Sequence, residues 1–261
     1  MTGGPLDGRG AVVTGGGRGI GAAVASALAE AGAAVVVAAR TAAEVETVAG
    51  LLREQGGKAW AVVSDVTDEK SVKQLGDAAR YHLGTVDILV NNAGASASAP
   101  LRKITLEEWI RMFHANATST FLCSREFTSG MEERGWGRIV NVASIAGLTG
   151  AKYIAHYSAA KHAVVGLSRA LAAELAGSGV TVNAICPGYV NTQMTDRALA
   201  LVESRAGLSR DLALAAVLAT TGQQRLIAPE EVAAAVRKLC MGDASDVSGE
   251  TVVLTGGVRT S

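Results

Sequence analysis

The sequence predicts a doubly wound α/β fold, a parallel sheet of about seven strands with helices on both faces. Short apolar runs rich in valine and isoleucine alternate with longer amphipathic segments, as expected for strands buried on both sides. A glycine-rich turn directly follows the first such run and leads into an alanine-rich segment. No repeat, low-complexity linker or shift of composition divides the chain. All 261 residues are therefore expected to form a single domain, long enough to bury a large core.

The first strand is Ala11-Val12-Val13, and residues 19–31 follow as an alanine-rich helix. Residues 34–38 form a second strand, after which Thr41 is placed to cap a helix reaching Glu54. Residues 59–63 are a third strand, followed by a helix over 68–82. A fourth strand at 86–90 precedes one long helix over 105–131. A fifth strand at 138–142 leads to a long helix over 153–176, and 180–186 make a sixth strand. Residues 229–240 open on proline, which suits a first helical turn, and 251–254 are the last strand. Residues 191–225 have helical periodicity without a strand and are expected to be an insertion covering the substrate end of the sheet.

The net charge is zero, with 49% apolar and 18% charged residues and no long run of one sign. Nothing in that balance draws nucleic acid or an anionic membrane surface. Cys123, Cys186 and Cys240 are widely spaced without a C-x-x-C, so neither a disulfide framework nor a zinc site is expected. None of His82, His114, His156 and His162 has metal-ligand spacing. The N-terminal Met-Thr-Gly-Gly-Pro-Leu-Asp lacks a basic cluster and an apolar core, and no run reaches membrane-spanning length. The expected setting is a reducing cytoplasm.

Thr14-Gly-Gly-Gly-Arg-Gly-Ile-Gly21 lies between the first strand and its helix. Such a turn points backbone N–H groups and the positive end of a helix dipole at an anion, the phosphate-binding arrangement of dinucleotide sites. Gly15, Gly19 and Gly21 fit a T-G-x-x-x-G-x-G spacing, while Gly17, Gly19 and Ala22 fit G-x-G-x-x-A. The second strand ends in Ala39-Arg40-Thr41, without the carboxylate that accepts the ribose hydroxyls of NAD. With Arg18 in the turn, two guanidinium groups and no nearby carboxylate favour the 2′-phosphate of NADP(H), with NAD(H) as the alternative.

Tyr157-Ser-Ala-Ala-Lys161 places a phenol and an ammonium one helical turn apart on a shared face. A neighbouring ammonium favours phenolate, so the tyrosine is expected to titrate below its usual range and to exchange protons near neutral pH. Ser144 stands thirteen residues upstream of Tyr157.

With the glycine turn, Asn91-Asn-Ala-Gly94, Ser144, Tyr157 and Lys161 together, the chain resembles the short-chain dehydrogenase/reductase family over residues 10–257. Within it the likeness is nearest to 3-oxoacyl-carrier-protein reductases and polyketide ketoreductases, above all over 137–192. The resemblance implies a Rossmann-like domain and a hydride exchange between NADP(H) and a ketone or secondary alcohol. It makes Asn116, Ser144, Tyr157 and Lys161 the catalytic residues. Ser144 and Tyr157 would bond the substrate oxygen, Lys161 would hold the nicotinamide ribose, and the Asn116 carbonyl would hold a water beside Lys161. Gly15, Gly17, Arg18, Gly19, Ile20 and Arg40 would meet the phosphates. Asp65 and Val66 would hold the adenine. Asn92 would tie the sheet together at the cofactor site, and Ala93 and Gly94 would let the nucleotide approach. Pro187, Gly188, Val190 and Thr192 would close over the nicotinamide. The resemblance also implies a homotetramer built on the 105–131 and 153–176 helices. The substrate would be a small molecule or an acyl thioester, with an acyl carrier protein as a candidate partner.

Other readings carry less. Asn-Val-Ala-Ser-Ile-Ala-Gly around Ser144 lacks the G-x-S-x-G turn of serine hydrolases. His156 is expected to pack rather than to touch substrate, and Glu107-Glu108 to decorate a helix start. Met194, Leu199 and Leu201 either line a substrate pocket or pack on the body. Arg102, Lys103, Arg125 and Arg197 are the candidate basic residues at an entrance. Alternatives to the ketoreductase are an NAD-dependent dehydrogenase of a secondary or cyclic alcohol or a hydroxyacyl thioester, and a non-catalytic dinucleotide-binding regulator.

Overall fold

The computed structural model describes residues 4–257. Its strands are β1 (Gly10–Thr14), β2 (Ala34–Ala39), β3 (Ala59–Val63), β4 (Ile88–Asn91), β5 (Gly137–Val142), β6 (Val180–Pro187) and β7 (Thr251–Leu254). They form one seven-stranded sheet in the order β3-β2-β1-β4-β5-β6-β7, with every pairing parallel. The helices are α1 (Gly19–Glu30), α2 (Ala42–Glu54), α3 (Glu69–Leu83), α4 (Leu106–Phe113), α5 (Ser119–Glu133), α6 (Ala155–Glu174), α7 (Gln193–Ala206), α8 (Arg210–Ala219) and α9 (Pro229–Cys240).

Successive strand residues point to opposite faces. Val13, Val35, Val37, Ile88, Val90 and Val140 bury against α1, α2 and α9 through Val24, Leu28, Val45, Leu52, Val232 and Val236. Their neighbours Val12, Val36, Leu89, Ile139 and Val182 bury on the other face against Val72, Leu75, Leu122, Phe127 and Ala172 of α3, α5 and α6. The central strands β1, β2 and β4 are thus covered on both faces by apolar side chains, which is why they read as continuous runs. Buried asparagines tie the sheet to its helices. Asn91 Nδ2 donates to Asn141 Oδ1 at 2.8 Å and to Ser124 Oγ at 3.1 Å, and Asn141 Nδ2 donates to Ser168 Oγ at 2.8 Å.

The expected helix over 105–131 is two helices joined by a π turn, His114–Thr118. Side chains compete there for backbone carbonyls. Asn116 Nδ2 bonds the Met112 carbonyl at 2.9 Å, Ser119 Oγ bonds that of Ala115 at 3.0 Å, and Thr120 Oγ1 bonds that of Asn116 at 2.7 Å. The helix widens to admit these bonds. Thr41 does precede α2, but its side chain makes no capping bond and lines a cleft instead. Residues 191–225 contain α7 and α8, held together by Leu199, Ala213 and Val217, with no strand. Among the described residues no helix is long and apolar enough to cross a membrane.

Strand order reverses between β1 and β4, and in open parallel sheets the crevice outside the carboxyl ends at such a reversal is the usual ligand site.

Candidate active site

A cleft of about 2680 Å³ runs along that edge. Small-ligand pockets usually hold about 300–1,000 Å³, so this one has room for an extended dinucleotide and a second molecule. Its floor at one end is the turn after β1. Gly15 and Gly19 have φ of +63° and +53°, the left-handed region that glycine enters freely. At Gly21 the constraint is closeness. A Cβ there would lie 2.2 Å from the Gly15 carbonyl oxygen and 2.5 Å from Asn92 Nδ2. That same amide donates to the carbonyls of Thr14, at 3.0 Å, and Gly15, at 3.1 Å, fixing the end of β4 to the turn. Thr14 adds a second tie, its hydroxyl accepting the N–H groups of Asn92 at 3.1 Å and Ala93 at 3.2 Å. The turn is therefore a rigid cradle of outward N–H groups, and it fits a phosphate.

Past the cradle the cleft meets Arg40, Asp65 and Val66. Here the expectation of two arginines without a carboxylate is corrected. Arg18 Nη1 donates to Glu44 Oε1 at 2.9 Å, because the first turn of α2 folds back over the glycines. Arg40 lies close enough to Asp65 to influence its titration. Burial raises that carboxyl, but the Thr67 N–H, the Thr67 hydroxyl and the Arg40 charge together hold it below its ordinary value.

In the other direction the cleft passes Asn92, Ala93 and Gly94 and reaches Ser144, Tyr157 and Lys161. Ser144 leaves β5 and caps a short turn, its Oγ accepting the Ala146 N–H at 3.1 Å. Gly147 in that turn packs on α6 so closely that a Cβ would lie 2.7 Å from the Lys161 carbonyl oxygen. This contact sets Ser144 beside the first turns of α6, which carry Tyr157 and Lys161. Lys161 is buried, and its Nζ donates to the Val142 carbonyl at 2.9 Å. A Cβ on Gly94 would stand 2.7 Å from Asn116 Oδ1, so a side chain there would displace the Asn116 amide.

The expected acidic phenol is also corrected. Burial pushes Tyr157 up to about 12, and the neighbouring Ser144 side chain pulls it only partly back. Lys161 Nζ sits 5.9 Å from the tyrosine ring centre and is turned onto the Val142 carbonyl. Burial lowers the lysine to about 8. For each group burial is the largest cause, raising the phenol and lowering the amine. The tyrosine is thus a protonated donor across the ordinary pH range, which suits a general acid.

Asn116 is buried in the π turn, its Nδ2 donating to the Ala95 carbonyl at 2.9 Å and its own carbonyl accepting the Thr120 and Ser119 hydroxyls at 2.7 and 3.3 Å. Pro187, Gly188, Val190 and Thr192 line the far wall. The Val190 carbonyl accepts Thr195 Oγ1 at 2.6 Å and Thr192 Oγ1 at 3.4 Å, while its N–H meets no protein acceptor among the described residues.

A family model described as short chain dehydrogenase matches residues 9–201. The chain belongs to the short-chain dehydrogenase family. A cis-4-hydroxycyclohexanecarboxylate dehydrogenase of Sinomonas cyclohexanicum is 42% identical, covering 95% of each chain. The 3-oxoacyl-acyl-carrier-protein reductase of Vibrio cholerae is 38% identical over 97% of this chain and 98% of its own. A crystal structure of an actinorhodin polyketide ketoreductase variant with NADPH superposes with a TM-score of 0.92 at 36% identity, covering 97% and 98% of the two chains. The protein is thus an oxidoreductase of the short-chain dehydrogenase family with the fold of a ketoreductase.

Some residues that shape this short-chain dehydrogenase site gave no sign in the sequence. Gln223 is buried, accepts the Tyr189 N–H at 2.7 Å and donates to the Tyr189 carbonyl at 3.2 Å, pinning the loop after β6. Glu44 reads as an ordinary helix-start acid. Of the candidate entrance residues only Arg197 lines the cleft; Arg125 is paired with Glu69, and Arg102 and Lys103 lie on the turn Leu101–Lys103 outside the lining. Met194 and Leu201 face the cleft whereas Leu199 is buried against α8. His156 is buried outside the cleft lining, and burial lowers its titration.

Proposed function

We propose that this chain is an NADP(H)-dependent ketoreductase that reduces the ketone of a 3-oxoacyl thioester or a polyketide-type chain to a secondary alcohol. The observation that carries the reading is the meeting of Ser144, Tyr157 and Lys161 at one end of a cleft whose other end is the glycine cradle. The whole-length likeness to ketoacyl and polyketide reductases supports it.

A nicotinamide dinucleotide held by Gly15, Gly17, Arg18, Gly19, Ile20, Arg40, Asp65 and Val66 would supply the hydride. As negative charge develops on a ketone oxygen, Ser144 and Tyr157 both donate hydrogen bonds to it. Tyr157 then passes its proton to that oxygen, leaving an alcohol and a phenolate. Lys161 holds positive charge beside the phenolate, and Asn116 keeps the floor under Lys161 in place. In the oxidising direction the same phenolate takes the proton back. Asn92, Ala93 and Gly94 allow close approach, and Pro187, Gly188, Val190 and Thr192 form the wall from which α7 and α8 hang as a lid. The homotetramer and cytoplasmic location implied by the resemblance stay within this proposal, the former checked by the mass in light scattering.

A second reading is an NAD-dependent dehydrogenase of a cyclic secondary alcohol. It is favoured by the 42% identity to a cyclohexane-ring dehydrogenase and by the carboxylates found beside both arginines. The two are separated by assaying β-ketoesters, acyl thioesters with and without an acyl carrier protein, and cyclic ketones with NADPH and NADH. The first reading expects the highest kcat/KM for a ketoester or thioester with NADPH. A cyclic ketone or alcohol turned over best with the unphosphorylated nucleotide overturns it.

A further inference from the structure

We infer that Glu44 sets the nucleotide preference of this cleft by competing with the nucleotide for Arg18. The inference rests on the dinucleotide reading above and goes beyond it, because it assigns the choice between the two nucleotides to a side chain on α2.

Two contacts place Glu44, and a third ties its partner Arg18 to α7. Its Oε1 accepts Arg18 Nη1 at 2.9 Å. Its stem crosses the turn so closely that a Cβ on Gly17 would lie 2.8 Å from Glu44 Cβ and 3.3 Å from Oε2. The same Arg18 Nη1 also reaches Gln193 Oε1, the first residue of α7, at 3.3 Å. Gly17, Arg18, Glu44, Arg40 and Gln193 all line the cleft. Among these residues Arg18 is the one cation in the glycine turn itself, and its charge is already answered by a carboxylate.

The chemistry of that pair differs between the two nucleotides. Where the ribose carries only hydroxyls, a carboxylate at this edge accepts their hydrogen bonds and can keep Arg18 as its partner. Where it carries a 2′-phosphate, the dianion and Glu44 repel each other, and Arg18 must leave the carboxylate to bond the phosphate. The Arg18–Glu44 pair is open to water on both sides, so solvent screening makes it weak enough to exchange. Arg18 alone would select NADP(H); Glu44 opposes that selection and keeps NAD(H) admissible. When Arg18 turns to a phosphate it also releases Gln193, which connects the nucleotide present to the start of the lid helix.

The test is a comparison of the wild type, Glu44→Gln and Arg18→Ala by fluorescence titration with NADPH and with NADH in the absence of substrate. Glu44→Gln keeps the helix start and a hydrogen-bonding side chain while removing the charge. It is expected to tighten NADPH by about tenfold and to leave NADH unchanged or weaker by roughly threefold, as for one like charge removed from beside an anion. Arg18→Ala is expected to loosen NADPH more than NADH. A Glu44→Gln ratio of the two dissociation constants within about twofold of wild type overturns the inference while leaving the dinucleotide reading intact. A wild type that binds neither nucleotide sinks both.

Discussion

Tyr157→Phe is expected to lower kcat for ketone reduction by about 10²–10⁴-fold, the range usually lost with a positioned proton donor. The substitution removes one oxygen from a half-buried ring and leaves the ring's packing in α6 untouched. Thermal midpoint and the dissociation constant for NADPH should therefore stay close to wild type. Because burial holds the phenol up at about 12, the acid is present throughout the accessible pH range. No loss of reductase activity near neutral pH is assigned to its ionisation. The limb that does fall in that region belongs to Lys161, which sheds its charge as pH rises through about 8. A wild-type profile of kcat/KM in the reducing direction should decline above that value, and the residual activity of the phenylalanine variant should be too low to follow it. Turnover within about threefold of wild type in that variant would remove Tyr157 from the chemistry, since Ser144 alone cannot replace a proton that must be transferred.

Much of this architecture is legible in the sequence because it follows from local rules. The bounds expected for β3, α9 and β7 are those observed, since β3 and β7 are bracketed by polar residues and α9 opens on Pro229. The site residues named from the motifs also gather on one cleft, from Arg40 to Thr192. What escaped the sequence depends on contacts between distant segments. The π turn at His114–Thr118 keeps a helical apolar rhythm, and only the competition of Asn116, Ser119 and Thr120 for carbonyls breaks the helix there. Glu44 becomes a partner of Arg18 only once α2 has folded back on the turn. Gln223 acts through Tyr189, 34 residues earlier. The tyrosine expectation differs from the structure for a related reason: spacing reveals that Lys161 is near, but not the burial that raises the phenol and lowers the amine.

That burial leads to the second large effect, Lys161→Met. Methionine keeps the unbranched shape of the buried stem and removes the amine. Without positive charge beside the phenolate, kcat/KM is expected to fall by about 10²–10³-fold, as when one electrostatic donor is lost from a water-poor site. Stability should respond in a way that depends on pH. Lys161 titrates at about 8 in the fold against 10.5 as its ordinary value, so between those limits the unfolded chain binds a proton that the folded one does not. Stability contributed by this group therefore rises with pH across that window, and the cost of the buried ammonium is complete only below it. At one pH unit per ~1.4 kcal/mol, the wild type should gain about 2 kcal/mol from this group between pH 7 and pH 10. The methionine variant lacks the gain. Burial pushes the thiols of Cys123, Cys186 and Cys240 up in the fold, so their ionisation in the unfolded chain also makes stability depend on pH toward the top of that range, but they are present in both proteins. Cys186 feels the lysine's charge, so the difference between the two denaturant-unfolding curves, taken at each pH, reports Lys161 together with its effect on that one thiol. Equal pH dependence in the two proteins would mean that the amine stays hydrated in solution, and the protonated, charge-supported phenol argued above would lose its basis. A variant that is inactive yet relatively more stable at pH 7 than at pH 10 would instead show that the fold tolerates an unfavourable buried charge at the place where the reaction uses it.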